Sequence, residues 1–118
     1  MTMKKILISD KLADDGINFL NEQEGIQIHI QTGLSEEALC DIIPDYDALL
    51  IRSDTKVTAK VLQAAKRLKV VGRAGIGVDN VDLAAAMEQG IIVMNTPDAN
   101  ATTTAELAIA HMFSLSRN

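Results

Sequence analysis

At 118 residues the chain has room for one domain with a usable core, and its 47% apolar and 23% charged residues are those of an ordinary globular domain. A net charge of −5 argues against nucleic acid or an anionic membrane as a bulk partner, and no apolar run approaches the roughly 18 residues of a membrane span. Aromatics are 3% with no tryptophan, so the core is aliphatic, as in a buried parallel sheet covered by helices.

The apolar run Lys4–Ser9 reads as a buried first strand, ending at Ser9-Asp10. From Ala13 to Asn21, Ile17 and Leu20 share a helical face beside Phe19, and Gly25 closes the unit. Ile26 to Ile30 alternates Ile-Gln-Ile-His-Ile, the period-2 pattern of a strand with one wetter face, so it belongs at a sheet edge. Ser35 caps a helix that runs to about Ile43 and stops at Pro44. Ala48–Ile51 is the third strand, with Arg52-Ser53-Asp54-Thr55 as the loop at its end. Thr58 caps a helix through about Arg67, whose apolar side is Val61, Leu62 and Ala65. Val70-Val71 is the fourth strand and Ile91–Met94 the fifth, separated by a helix from Val81 to Gln89 that Gly90 terminates. Pro97–Asn100 forms a loop. Thr103 and Glu106 then make a capping box for a last helix, Thr104 to about Ser116.

Five strand–helix units in succession predict an α/β fold, a doubly wound parallel five-stranded sheet of flavodoxin-like order 2-1-3-4-5. Ligands of open α/β sheets sit beyond the carboxyl ends of the strands. That rule gathers Ser9-Asp10, Arg52–Thr55, Arg73–Val78 and Asn95–Asn100 on one rim.

Three chemistries can be tested there. A dinucleotide fingerprint needs Gly-x-Gly-x-x-Gly after the first strand. Ser9-Asp10-Lys11-Leu12 has no glycine, and Gly72, Gly75 and Gly77 stand in the wrong order. A phosphoacceptor site could use Asp10, but the third strand ends in Arg52, of opposite charge. A carboxylate or phosphate site fits better. Arg52 offers a planar fork of donors, Ser53 and Thr55 add hydroxyls, and the glycine-rich backbone of Ala74–Gly77 adds N–H groups. The competing structural reading pairs Arg52 with Asp54 or Asp79 and leaves the glycines to permit tight turns.

Four stretches together carry a resemblance. Leu50-Ile51-Arg52-Ser53, then Val70-Val71-Gly72-Arg73-Ala74-Gly75-Ile76-Gly77-Val78-Asp79-Asn80-Val81-Asp82, then Gly90-Ile91-Ile92-Val93-Met94-Asn95-Thr96-Pro97 and Thr104-Ala105-Glu106-Leu107 resemble the N-terminal part of the D-isomer-specific 2-hydroxyacid dehydrogenases. The resemblance implies an NAD-dependent oxidoreductase acting on a small 2-hydroxy or 2-oxo acid, phosphorylated to suit Arg52. Other acids (glycerate, glyoxylate, lactate) and a non-catalytic NAD-sensing module are the alternatives. It implies that Ala74, Gly75 and Gly77 hold the substrate carboxylate by backbone N–H groups, and that Ile76 also touches the nicotinamide. Arg52 and Ser53 would face the substrate's far end, with Arg73 and Asn100 as further candidates. An outward, solvated side chain is the competing reading for Arg73.

The resemblance further implies a substrate-binding domain over residues 1–100, incomplete, and a connecting helix over 101–118 toward a nucleotide-binding domain. The family's catalytic Arg, Glu and His and its Gly-x-Gly-x-x-Gly are expected downstream, so these residues alone are expected to be inactive. The last helix carries Leu107, Ile109, Met112, Phe113 and Leu115, more apolar surface than a free helix exposes. It therefore pairs with a second copy as a homodimer, the favoured outcome, or folds back on its own sheet. Asp79 and Asp82 read as helix N-terminal charges, while His29, His111 and Cys40 read as structural. The lone Cys40 and the absence of a secretory pattern in Met1–Lys5 fit a cytoplasmic protein.

Overall fold

The computed structural model describes residues 3–75, 77–96 and 104–110. The strands are β1 (Lys4–Ile8), β2 (Ile26–Ile30), β3 (Ala48–Ile51), β4 (Val70–Arg73) and β5 (Ile92–Asn95). All pair in parallel in the order β2-β1-β3-β4-β5, the flavodoxin-like order expected. The helices are α1 (Asp14–Asn21), α2 (Glu36–Ile42), α3 (Ala59–Ala64) and α4 (Leu83–Glu88), with a 3-10 turn at Ile43–Asp45 and a further helical stretch over 104–110.

Alternation along each strand divides the core into two layers. Leu7, Leu49, Ile51 and Val71 point to the face covered by α2, α3 and α4, where Leu39, Val61, Leu62 and Ala86 meet them. Ile6, Ile8, Ala48, Leu50 and Val70 point to the other face, closed by Leu20 of α1 and by Ala105, Ala108 and Ile109. β3 is buried throughout, as the central strand of a sheet covered on both sides must be.

Local signals hold where the chemistry is strong. Ser35 Oγ accepts the Ala38 N–H and Thr58 Oγ1 accepts the Val61 N–H, so both act as N-caps. Gly90 adopts φ +71° just after α4, a conformation that suits glycine.

Several expected features shift. α3 stops at Ala64 rather than Arg67, because the chain turns at Ala65 to bury Leu68 and bring Arg67 Nη2 to 3.0 Å from Asp47 Oδ2. α4 begins at Leu83, since Val81 leaves the helix to form an isolated parallel bridge with Val57, and Asp82 becomes the N-cap. β4 extends to Arg73, so Gly72 lies inside a strand and not in a loop. β2 is at the edge, but its alternation fails at the end. Ile30 is 51% exposed, while His29 Nδ1 meets the buried Tyr46 hydroxyl at 2.6 Å.

The 104–110 helix folds back on the chain's own sheet, the second of the two outcomes considered for it. Met112, Phe113 and Leu115, on which a dimer contact would draw, lie outside the described residues. So do His111, the Pro97–Asn100 loop, Thr103 of the capping box and the helix's expected end at Ser116. Among the described residues no helix is long and apolar enough to cross a membrane.

Gly72 permits the helix's close approach. A Cβ there would stand 2.9 Å from both Leu50 Cδ2 and Thr104 Cγ2, two buried side chains. Gly72→Ala is expected to destabilise the fold by about 1–3 kcal/mol through overpacking. Urea unfolding monitored by circular dichroism checks this, and an unchanged midpoint would contradict the packing.

Candidate functional site

The carboxyl ends of β1, β3 and β4 meet at a loop held from two sides. Asp10, 4% exposed, follows β1 and points its carboxylate at the loop after β3. Its Oδ2 accepts the N–H groups of Arg52 at 2.7 Å and Thr55 at 2.9 Å, and its Oδ1 accepts the Thr55 hydroxyl at 2.6 Å. Since the Thr55 proton goes to Asp10, the Ser9 hydroxyl is the donor in the 2.7 Å contact between Ser9 Oγ and Thr55 Oγ1. From the opposite side, Asn80 Nδ2 donates to the carbonyls of Arg52 and Thr55, each at 2.7 Å. Two side chains thus take both backbone groups of both residues. Ser53 and Asp54 form an exposed tip between them.

Arg52 is presented outward by this clamp. Its side chain is exposed, and Nη1 has one long contact, 3.3 Å to the Lys11 carbonyl. It forms no salt bridge among the described residues, so the pairing with Asp54 or Asp79 is not found. Asp10 is likewise no free phosphoacceptor, being fully engaged with the loop.

Arg73 is neither outward nor solvated. Its side chain is 14% exposed, and Nη1 donates to Asp79 Oδ1 and to Asn80 Oδ1, each at 2.7 Å. Nε is buried, with no hydrogen-bond partner among the described residues. The guanidinium lies against the glycine turn. A Cβ on Gly75 would be 3.4 Å from Arg73 Nε, and one on Gly77 3.6 Å from Nη1 and 3.3 Å from Asp79 Oδ1. The guanidinium thus packs at contact distance against the turn, and neither glycine adopts a left-handed backbone.

The expected row of N–H donors is shorter than the sequence suggests. The Ala74 N–H continues the β3–β4 ladder by donating to Ile51 O at 2.9 Å, and the Gly75 N–H bonds to Arg73 O at 3.1 Å. Both are therefore committed inside the fold and are not free for a carboxylate. Gly77 is exposed at the turn, while Ile76 and Asn100 lie outside the described residues. Asp82 acts as the helix cap, accepting the Ala85 N–H at 3.0 Å, whereas Asp79 is occupied by Arg73.

Asn80 is the residue that sequence reasoning passes over, while Asp10 and Thr55 serve as loop anchors rather than as the phosphoacceptor and ligand hydroxyl expected of them. An Asn two residues before a helix cap looks like a turn former. Only its burial, at 7% exposure, shows that it must be saturated with partners. Elsewhere, burial pushes the Cys40 thiol up against the pull of Lys60, which suits an inert thiol. Burial also raises the Tyr46 hydroxyl beside His29. No group of three potential metal ligands occurs among the described residues.

The rim thus gathers two arginines set by one asparagine. Residues 6–117 match the family model described as D-isomer specific 2-hydroxyacid dehydrogenase, catalytic domain. The chain belongs to this dehydrogenase family. Its relatives include proteins named D-3-phosphoglycerate dehydrogenase from Synechocystis sp., 49% identical over 99% of this chain, and from Homo sapiens, 47% identical over 98%. The chain spans about a fifth of those relatives, 21% of each. Among solved structures, the NAD+-bound 3-phosphoglycerate dehydrogenase of Entamoeba histolytica is 28% identical with a TM-score of 0.72, over 82% of this chain and 33% of that one. A Pyrococcus horikoshii protein gives 29% identity and a TM-score of 0.75, over 80% and 28%.

Two measurements check the geometry of this dehydrogenase segment. Asn80→Ala orphans two carbonyls and one guanidinium bond, and is expected to cost about 2–3 kcal/mol in unfolding free energy. Faster hydrogen exchange at the Arg52 and Thr55 amides should accompany the loss, and unchanged exchange would contradict the clamp. Separately, the hydrogen bond from Arg73 holds the Asp79 carboxyl below its ordinary value of 3.8. A lowered folded-state value means the pair contributes stability at neutral pH and loses it as pH falls from the ordinary aspartate range through that lowered value. The difference in urea midpoint between wild type and Asp79→Asn should therefore shrink on acidification.

Proposed function

We propose that this chain is the substrate-side segment of an NAD-dependent D-3-phosphoglycerate dehydrogenase, oxidising 3-phosphoglycerate to 3-phosphohydroxypyruvate, the first step of serine biosynthesis. The observation that carries this is the 44–49% identity, over 96–99% of the chain, to proteins of that name from a cyanobacterium and an archaeon. The geometry of Arg52 supports the substrate class. An exposed guanidinium, its backbone fixed and its fork uncommitted, suits a doubly charged phosphate better than an uncharged hydroxymethyl or methyl group.

Arg52 and Ser53 then face the phosphate, and Arg73 borders the same pocket from β4. The carboxylate of the acid lies at Ala74, Gly75, Ile76 and Gly77, with Asn100 a further candidate for the same pocket. Since the Ala74 and Gly75 amides are committed, Gly77 and the neighbouring arginines bear more of this binding than a backbone nest alone would. Ile76 touches the nicotinamide.

The described residues do not fit the rest of NAD. The turn after β1 carries the buried Asp10 carboxylate where a pyrophosphate cradle would need glycines and free N–H groups. Hydride transfer needs an oriented nicotinamide and a general acid, so the cofactor is held mainly by a nucleotide-binding domain outside this sequence. Residues 1–100 form the substrate-binding domain, and 101–118 the helix connecting it to that partner domain. A homo-oligomer through the C-terminal helix and a cytoplasmic setting, consistent with the lone Cys40, complete the reading.

NADH oxidation by the dehydrogenase carrying this segment tests it, across 3-phosphohydroxypyruvate, hydroxypyruvate, glyoxylate and pyruvate. The phosphorylated acid should be strongly preferred. Arg52→Ala should lower kcat/KM for that acid by about tenfold to a hundredfold, the worth of one charge-assisted contact. Preference for an unphosphorylated acid, indifferent to Arg52, would move the substrate within the family.

A further inference from the structure

A mostly buried guanidinium needs a counter-charge, and in Arg73 that charge comes from a carboxylate that is itself 90% exposed. The two halves of the pair are therefore unequal. Asn80, buried and bonded on three sides, fixes one edge of the guanidinium permanently. Asp79 is held by Arg73 and by its own backbone N–H, and at its exposed position water can replace these contacts at small cost. Arg73 Nε is buried alongside Gly75, without a partner among the described residues, at the turn where the proposed function puts the substrate carboxylate. A guanidinium whose counter-charge is exposed and displaceable is open to exchange for a better anion.

We infer that Asp79 is a built-in stand-in for the substrate: its carboxylate holds Arg73 until an incoming carboxylate or phosphate oxyanion displaces it. Resting on the substrate reading above, this gives Asp79 a positioning role. Asn80 keeps the guanidinium aimed throughout, so the exchange of anions needs no movement of β4. The displaced carboxylate has a second cation to turn to. Lys56 lines the same shallow cavity of about 400 Å³ as Asp79 and Asn80, between the turns after β3 and β4. Without a stand-in, Arg73 would sit uncompensated whenever the site is empty. With one, every ligand must compete against an internal carboxylate, which favours a doubly charged phosphate over weaker anions.

The test is a titration of the 118-residue chain with inorganic phosphate at constant ionic strength, following the Arg73 Nε–H by NMR. Wild type, Asp79→Asn and Arg52→Ala are compared. The Nε–H resonance should shift with saturation in wild type, and Asp79→Asn should bind phosphate about threefold to fivefold more tightly, the range an exposed ion pair can impose. Phosphate that perturbs residues 52–55 while the Nε–H stays fixed, with no tightening in Asp79→Asn, would overturn the stand-in and leave Arg52's role intact. Binding that shifts the Nε–H but ignores Arg52→Ala would uphold the stand-in and remove Arg52 from the phosphate site. Binding by none of the three proteins would overturn the stand-in as well. Should Asp79→Asn fail to fold, the wild-type Nε–H shift decides alone.

Discussion

The loop after β3 depends on a division of labour between two buried side chains. Asp10 accepts from its amides and Asn80 donates to its carbonyls, at the same two residues. A buried carboxylate accepts only, and a carboxamide can donate twice while still accepting once. Neither could replace the other. The carboxamide's remaining oxygen takes Arg73, so one residue sets the backbone behind one arginine and the guanidinium of the next. The positions of the charges on this rim follow from hydrogen-bond stoichiometry more than from charge attraction.

That constraint explains why a chain of net negative charge can present cationic groups to an anion. Of the described acidic residues at the rim, Asp10 faces inward, where the loop takes its oxygens, and Asp79 is paired with Arg73, so only Asp54 at the exposed tip stands beside Arg52. The sheet supplies the rigidity. β3, buried along its whole length, delivers Arg52 to the edge at a fixed height, and register pairs Ile51 with Arg73 and Arg73 with Asn95 across the next two strands. Parallel pairing brings the ends of successive strands together without any loop having to bridge them.

Much of this was legible in the chain. β2 and β3 keep their expected bounds to the residue, and Ser35, Thr58 and Gly90 act as the caps their chemistry demands. What misleads is residues whose type fits two roles. Gly72 reads as loop, but it is a strand residue whose missing side chain admits a helix. Val81 reads as the first apolar position of a helix, yet it bonds across to Val57. Ala74 and Gly75 read as open donors, because nothing local shows that the β3–β4 ladder runs on to claim the first of them. Arg73, Asp79 and Asn80 lie within seven residues, yet their mutual contacts depend on a turn whose path no periodicity encodes. Arg52 was legible as a charge at a strand end; its fixed backbone was not.

The close contact at Gly72 reaches beyond packing. Leu50, Gly72 and Thr104 occupy one small volume from three distant parts of the chain: the strand leading to Arg52, the strand leading to Arg73, and the helix that follows the sheet. Any larger residue at one of these positions must be matched by a smaller one at another. Homologous chains should therefore drift at these three sites in concert. Variants selected for altered substrates would be barred from changing the helix's first turn without also answering at the base of both arginine strands.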